Sequence, residues 1–149
     1  MYFEEVTHTY QQAEAKATSE GKKCIPADDY HLQIDIDSED DWKHWKTFSE
    51  FFLTSPFNNN SNPHKPALRA REITIGISSS GLPHRHITIE LWEPMDVWKR
   101  IALQALLGSH LVREALNAYR VMIGNTDCPI VFFEKEEEQP TEGRRIILE

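Results

Sequence analysis

Two aspartates two positions apart, Asp35 and Asp37, are the residues of this chain best suited to chemistry. They stand in the run His31–Asp40, HLQIDIDSED. Leu32, Ile34 and Ile36 point one way and Gln33, Asp35 and Asp37 the other, as in a strand with one face in a core. Side chains at i and i+2 of a strand lie roughly 6–7 Å apart, so both carboxylates can reach one divalent cation or a close pair. Hard cations such as Mg²⁺ and Mn²⁺ take oxygen ligands and share them with substrate phosphates. From D-x-D alone, two solvated acids on an exposed sheet face read the same way.

Further candidates follow later in the chain. The turn SSSGLPHR leads into a second alternating run, His86–Trp92, and places Ser80, His84, Arg85 and His86 close together. A third apolar run, Pro129–Phe133, ends at Glu134.

The elements that must position these groups read as follows. Residues 3–20, rich in Ala, Gln, Glu and Lys, predict a helix stopped by Gly21. Residues 22–29 read as a polar loop before a first strand at about 30–37. Ser38 stands as the N-cap of a helix, with Glu39, Asp40 and Asp41 at the positive end of its dipole. Trp42, Trp45, Phe48, Phe52 and Leu53 give that helix its apolar stripe through about residue 54. Two tryptophans three apart could stack on bases, but core packing accounts for them as well. The Asn- and Pro-rich segment 55–68 is a loop long enough to be a substrate flap or a tolerated insertion. Arg71–Ser78 and His86–Trp92 form an antiparallel hairpin with isoleucines inward. A helical region from Pro94 is stopped at Gly108, and Ser109 caps a following helix to about Ile123, decorated by Arg113 and Glu114. Pro129–Phe133 is a strand, the tail after it is charged, and Ile146–Leu148 can add a short edge strand.

The order strand, helix, strand, strand, helix, strand is the β-α-β-β-α-β, or ferredoxin-like, plan in the α+β class. A chain of 149 residues suits a single domain, here with a core over about 30–134. In that plan the first and third strands are central neighbours, and helices cover one face. Asp35 and Asp37, His86 on the neighbouring strand, and Glu134 at the end of the fourth then converge on the helix-free face.

Composition narrows the classes. The net charge of −8 argues against nonspecific coating of nucleic acid. Residues 1–45 hold eleven acids against four Lys and Arg, whereas residues 64–100 hold six Lys and Arg against four acids. A basic patch facing an acidic strand is what a site for metal and phosphate needs. No run reaches the roughly 18 apolar residues of a membrane span, and the first residues, MYFEE, lack the features of a signal peptide, so a cytoplasmic protein is expected. Cys24 and Cys128 form no C-x-x-C pair, which leaves two reduced thiols as the expectation.

These motifs resemble those of the archaeo-eukaryotic primase superfamily, which includes the primase-polymerases, across about residues 30–134. The D-x-D on a first strand is Asp35-Ile36-Asp37. The serine- and glycine-containing turn that leads to a histidine is Ser80-Gly81-Leu82-Pro83-His84-Arg85-His86, and the acid after an apolar strand is Phe132-Phe133-Glu134. The chain also looks like small phage-encoded proteins with a GLP-x-RH turn and a G-S-x-x-x-R-E helix, here Gly108-Ser109 and Arg113-Glu114. The resemblance implies an RRM-like core and a cytoplasmic role in a bacterial or phage-infected cell. It gives Asp35, Asp37 and Glu134 the metals, Mg²⁺ or Mn²⁺, with Asp35, Asp37 and His86 as the catalytic set. It places Ser80, His84, Arg85 and His86 on the phosphates of a nucleoside triphosphate, with a DNA or RNA template and a replication protein as further partners. The chemistry would be phosphoryl transfer, in which two metals activate a 3′-hydroxyl and neutralise pyrophosphate. The chain departs from the pattern in having Glu for the third acid, a longer turn, and neither a zinc segment nor a helical priming module.

Three rivals use the same fold. An HUH-type endonuclease would employ His84 and His86 with Tyr119 as nucleophile, but leaves Asp35 and Asp37 without a role. An RRM that stacks bases needs aromatics where this chain has Gln33, Asp35, His86, Thr88 and Glu90. A non-catalytic accessory protein, binding nucleic acid or protein, would not need the aspartates at all.

Overall fold

The computed structural model describes residues 9–53, 68–78, 80–124, 130–135 and 144–147, with the backbone alone for 133–135 and 144–147. In chain order these form α1 (Tyr10–Ser19), β1 (Lys22–Pro26), β2 (His31–Ile36), α2 (Glu39–Leu53), β3 (Ala70–Ile77), β4 (Arg85–Leu91), α3 (Val97–Leu106), α4 (Leu111–Met122), β5 (Val131–Lys135) and β6 (Arg144–Ile147). The fold is α+β, with antiparallel strands in two sheets. One has four strands in the order β2-β4-β3-β6, and the other pairs β1 with β5.

Alternation builds the larger sheet as expected. Leu32, Ile34 and Ile36 of β2 meet Ile73 and Ile75 of β3 and Ile87, Ile89 and Leu91 of β4 in one buried cluster. Trp45 and Leu53 of α2 close that cluster together with Leu107, and Trp42, Phe52, Met95 and Leu103 pack against it. Ser38 caps α2, its hydroxyl accepting from the Asp41 N–H at 3.1 Å. Helix α3 starts at Val97 and not at Pro94, and Asp96 caps it through the Trp98 and Lys99 N–H groups. Gly108 turns the chain between α3 and α4 at φ +106, where a Cβ would meet the Asp41 carbonyl oxygen at 2.9 Å. The corner therefore sits directly against α2. The longest described helix, α2, has 15 residues, and no described helix is long and apolar enough to cross a membrane.

Three placements differ from the sequence reading. Residues 22–26 are a strand and not a loop, pairing Lys22 with Lys135 through Pro26 with Val131. The reason is long-range: the partner of this short segment lies more than 100 residues away and leaves no local signature. Consequently β5 pairs with β1 and not with β2, and β6 takes the outer side of β3.

The third difference explains the second. The β2 edge left open by β5 is closed by three side chains and one backbone N–H. The Gln33 N–H donates to Gln104 Oε1 at 2.9 Å, and the Asp35 N–H donates to Ser109 Oγ at 3.0 Å. Arg113 Nη1 donates to the Gln33 carbonyl at 2.8 Å, and the His110 N–H donates to the Asp35 carbonyl at 2.8 Å. Ser109 is thus not the cap of α4; His110 holds that position without a side-chain hydrogen bond. Backbone groups removed from water need partners, and here α3 and α4 supply what a fourth strand would.

Candidate functional site

Asp35 and Asp37 leave β2 on the side opposite its isoleucines, as alternation requires. Each faces imidazole. His84 Nδ1 lies 2.8 Å from Asp37 Oδ1, and His110 Nε2 lies 3.5 Å from Asp37 Oδ2. His86, paired in register with Asp35 across the β2–β4 ladder, brings Nε2 to 3.6 Å from Asp35 Oδ1. Phe132 of β5 holds His86 in place, the two rings stacked at 4.0 Å between centroids and 2° from parallel. The Arg113 guanidinium lies 4.7 Å from the same phenyl centroid.

Asp35, Asp37, His84, His86, Phe132 and Arg113 line a cleft of about 350 Å³, with Ser78 and Ser80 from the turn after β3. Lys16 of α1, Lys22 of β1 and Arg113 and Arg120 of α4 line it as well. The cleft therefore brings cations and imidazoles around two carboxylates. Imidazole held by carboxylate has a defined orientation and can move a proton, while lysine and arginine attract phosphate.

The face beside the cleft is not open. Gln33 is 1 % exposed; its Nε2 donates to the Ile25 carbonyl at 2.8 Å, joining β2 to β1. The walls are the small β1–β5 ribbon and α4, which the sequence reading did not place there.

A buried carboxylate organises the α4 wall. Glu114, 3 % exposed, accepts from Gln104 Nε2 at 2.7 Å and Asn117 Nδ2 at 3.0 Å through one oxygen. Through the other it accepts from Ser109 Oγ and Arg113 Nη1, both at 2.7 Å. Arg113 also donates to the Val131 carbonyl at 3.1 Å, tying β5 to the edge of β2. Three of the four residues that close the β2 edge, Gln104, Ser109 and Arg113, are thus held by Glu114, and they fix where Asp35 stands.

Of the residues singled out from sequence, Asp35, Asp37, Ser80, His84 and His86 line the one cleft. Arg85 does not. Alternation turns it to the core side of β4, where it lies 4.1 Å from the Trp42 ring centroid, 3.6 Å from Glu39 and donates to the Pro83 carbonyl. Glu134 lies on β5 opposite Lys23, and its side chain is outside the described residues. Of the Asn- and Pro-rich loop over 55–68 only Leu68 is described, and residues 136–143 of the charged tail also lie outside the described residues. Tyr119 is 41 % exposed and does not line the cleft, so the described geometry brings no tyrosine to His84 and His86.

Lys16, Lys22, His110, Arg113 and Arg120 were missed. Lys16 and Lys22 carried no signal, since their place depends on β1. Arg113, Asn117 and Arg120 did: polar residues at i, i+4 and i+7 mark one face of a helix that is otherwise largely apolar.

Among the described residues, no group of three or more His, Cys, Asp or Glu side chains is arranged to hold a metal ion. The donor chemistry of Asp35 and Asp37 suits a hard cation, because Mg²⁺ is commonly held by one or two carboxylates plus phosphate oxygens and water. Comparison with protein families, with curated proteins and with solved structures finds no match.

Proposed function

We propose that this cleft binds the phosphates of a nucleoside triphosphate and that the chain is a small metal-dependent nucleotidyltransferase resembling a primase-polymerase. One observation carries the reading. Five residues selected for that chemistry, drawn from two separate stretches of sequence, line one cleft together with Lys16 and Lys22. The strand order β2-β4-β3 supports reading the core as ferredoxin-like, with β2, β3 and β4 as its first, second and third strands. On this reading α3 and α4 stand where the fourth strand would pair.

Asp35 and Asp37 would hold Mg²⁺ or Mn²⁺, with Glu134 the third acid of the family pattern. The ion would supply charge neutralisation on the phosphates. His86, clamped by Phe132, and His84 orient the phosphate chain, Ser80 donates to it, and Lys16 and Lys22 add long-range attraction. Arg85 takes no part, because it stands on the other face of β4. A DNA or RNA template and a replication-protein partner belong to the same proposal, as does a cytoplasmic setting.

Calorimetric titration with ATP, with and without Mn²⁺, tests this on the wild type and on Asp35→Ala/Asp37→Ala. Binding that needs Mn²⁺ and is lost in the double variant supports the reading and leads to primer-extension assays. Binding that ignores both metal and aspartates leaves a non-catalytic anion site. Absence of binding in the wild type overturns the proposal in favour of an accessory protein.

A further inference from the structure

Helix α4 is amphipathic in the inverse sense. Its fully buried residues are Glu114 and Asn117, with Arg113 and Arg120 on the same inner side. Its outer surface carries Leu111, Val112, Ala115, Tyr119, Met122 and the adjoining Ile123, all exposed. Leu111 is 71 % exposed and Met122 74 % exposed. At 100° per residue these six occupy an arc of roughly 120° with no charged or polar group other than the tyrosine hydroxyl. A polar inner face is explained by the β2 edge that it closes. The apolar outer face has no such explanation within the described fold.

We propose that this outer face of α4 is a self-association surface, through which two copies of the chain pack α4 against α4 about a twofold axis. Three observations select a second copy as the occupant. Val112, Ala115, Tyr119 and Met122 follow one another at +3, +4 and +3, the spacing of an a/d seam, with the small Ala115 near its centre to let two axes approach. The stripe carries no charge, so apposing it to itself brings no like charges together. In a chain of net charge −8 most other surfaces repel their own copy. The stripe exposes on the order of 600 Å² per copy, or about 1,200 Å² across a twofold, which reaches the lower edge of stable interfaces. A twofold pairs the same patch on both subunits, as a self-complementary stripe requires.

The proposal is independent of any ligand in the cleft, because Asn117 and Arg120 lie outside the stripe. An interface at the lower edge of that range suits a reversible dimer rather than an obligate one. Sedimentation equilibrium of the full chain, from micromolar to near-millimolar concentration, should show a reversible monomer–dimer equilibrium. Val112→Glu and Met122→Glu each place a carboxylate within the seam on both copies, and each should weaken the dimer at least about tenfold. Circular dichroism and the thermal midpoint measured at a concentration where the wild type is monomeric should not change, since both side chains are exposed. A wild type that stays monomeric at the highest concentration overturns the proposal and assigns the stripe to a different partner. A dimer that survives both substitutions overturns it equally.

Discussion

Beneath the four-stranded sheet lies a core of Leu, Ile and Trp; at the outer edge of β2 lies a second buried region made of Gln33, Gln104, Ser109, Glu114 and Asn117, with the part-buried Arg113 at its rim. The first is held by contacts that any well-fitting apolar group can make. The second is held by directed hydrogen bonds, each of which leaves a buried donor or acceptor unpaired when it is lost. The aliphatic region makes the sheet, and the polar region decides where the sheet ends and where Asp35 stands. Such a division separates tolerance from precision: the core can drift by a methyl group, whereas the edge of the D-x-D strand cannot lose a partner.

The largest effect should come from the polar region. Glu114→Ala removes the carboxylate partner of the part-buried Arg113 guanidinium and leaves the buried Gln104, Ser109 and Asn117 without their acceptor, for an expected loss of about 3 kcal/mol in urea unfolding. Arg113→Leu/Glu114→Leu should not recover it, because the carbonyls of Gln33 and Val131 then lose their donor. Recovery in the double variant would mean that the two residues form an isolated ion pair and not the closure of a strand edge.

A smaller effect is expected in the aliphatic core. Ile89→Val removes one methylene from a fully buried side chain and should cost about 0.5–1.5 kcal/mol, with ATP binding in the cleft unchanged. A change in that binding would show that the two regions are coupled.

The smallest effect lies at the turn before β2. Burial pushes the Asp28 carboxyl up, but hydrogen bonds with the His31 ring and from the Tyr30 N–H, with the charges of His31 and Arg100, outweigh it and hold the group below its ordinary value of 3.8. A depressed carboxylate contributes stability above its unfolded value, and that contribution disappears as pH falls through the folded one. Asp28 is largely exposed, so Asp28→Asn should cost under ~1 kcal/mol at pH 6, and the gap to wild type should close below pH 3.8. A gap that widens in acid would contradict the arrangement at this turn.

The sequence by itself determined the antiparallel sheet of β2, β3 and β4, the α+β class, the cap at Ser38 and the faces of Asp35, Asp37 and His86. Alternation and capping are local rules, and a few residues suffice to state them. Only the tertiary structure decided the rest. Nothing local to KKCIP announces that it pairs with a strand more than 100 residues on, or that β5 thereby leaves the edge of β2. Arg113 and Glu114 read as surface decoration on a helix because charge is ordinarily solvated. They became a buried hub because an unpaired strand edge supplied the hydrogen-bonding groups that make burying them tolerable. For the same reason Ser109, a natural cap by type and position, serves the backbone of Asp35 instead.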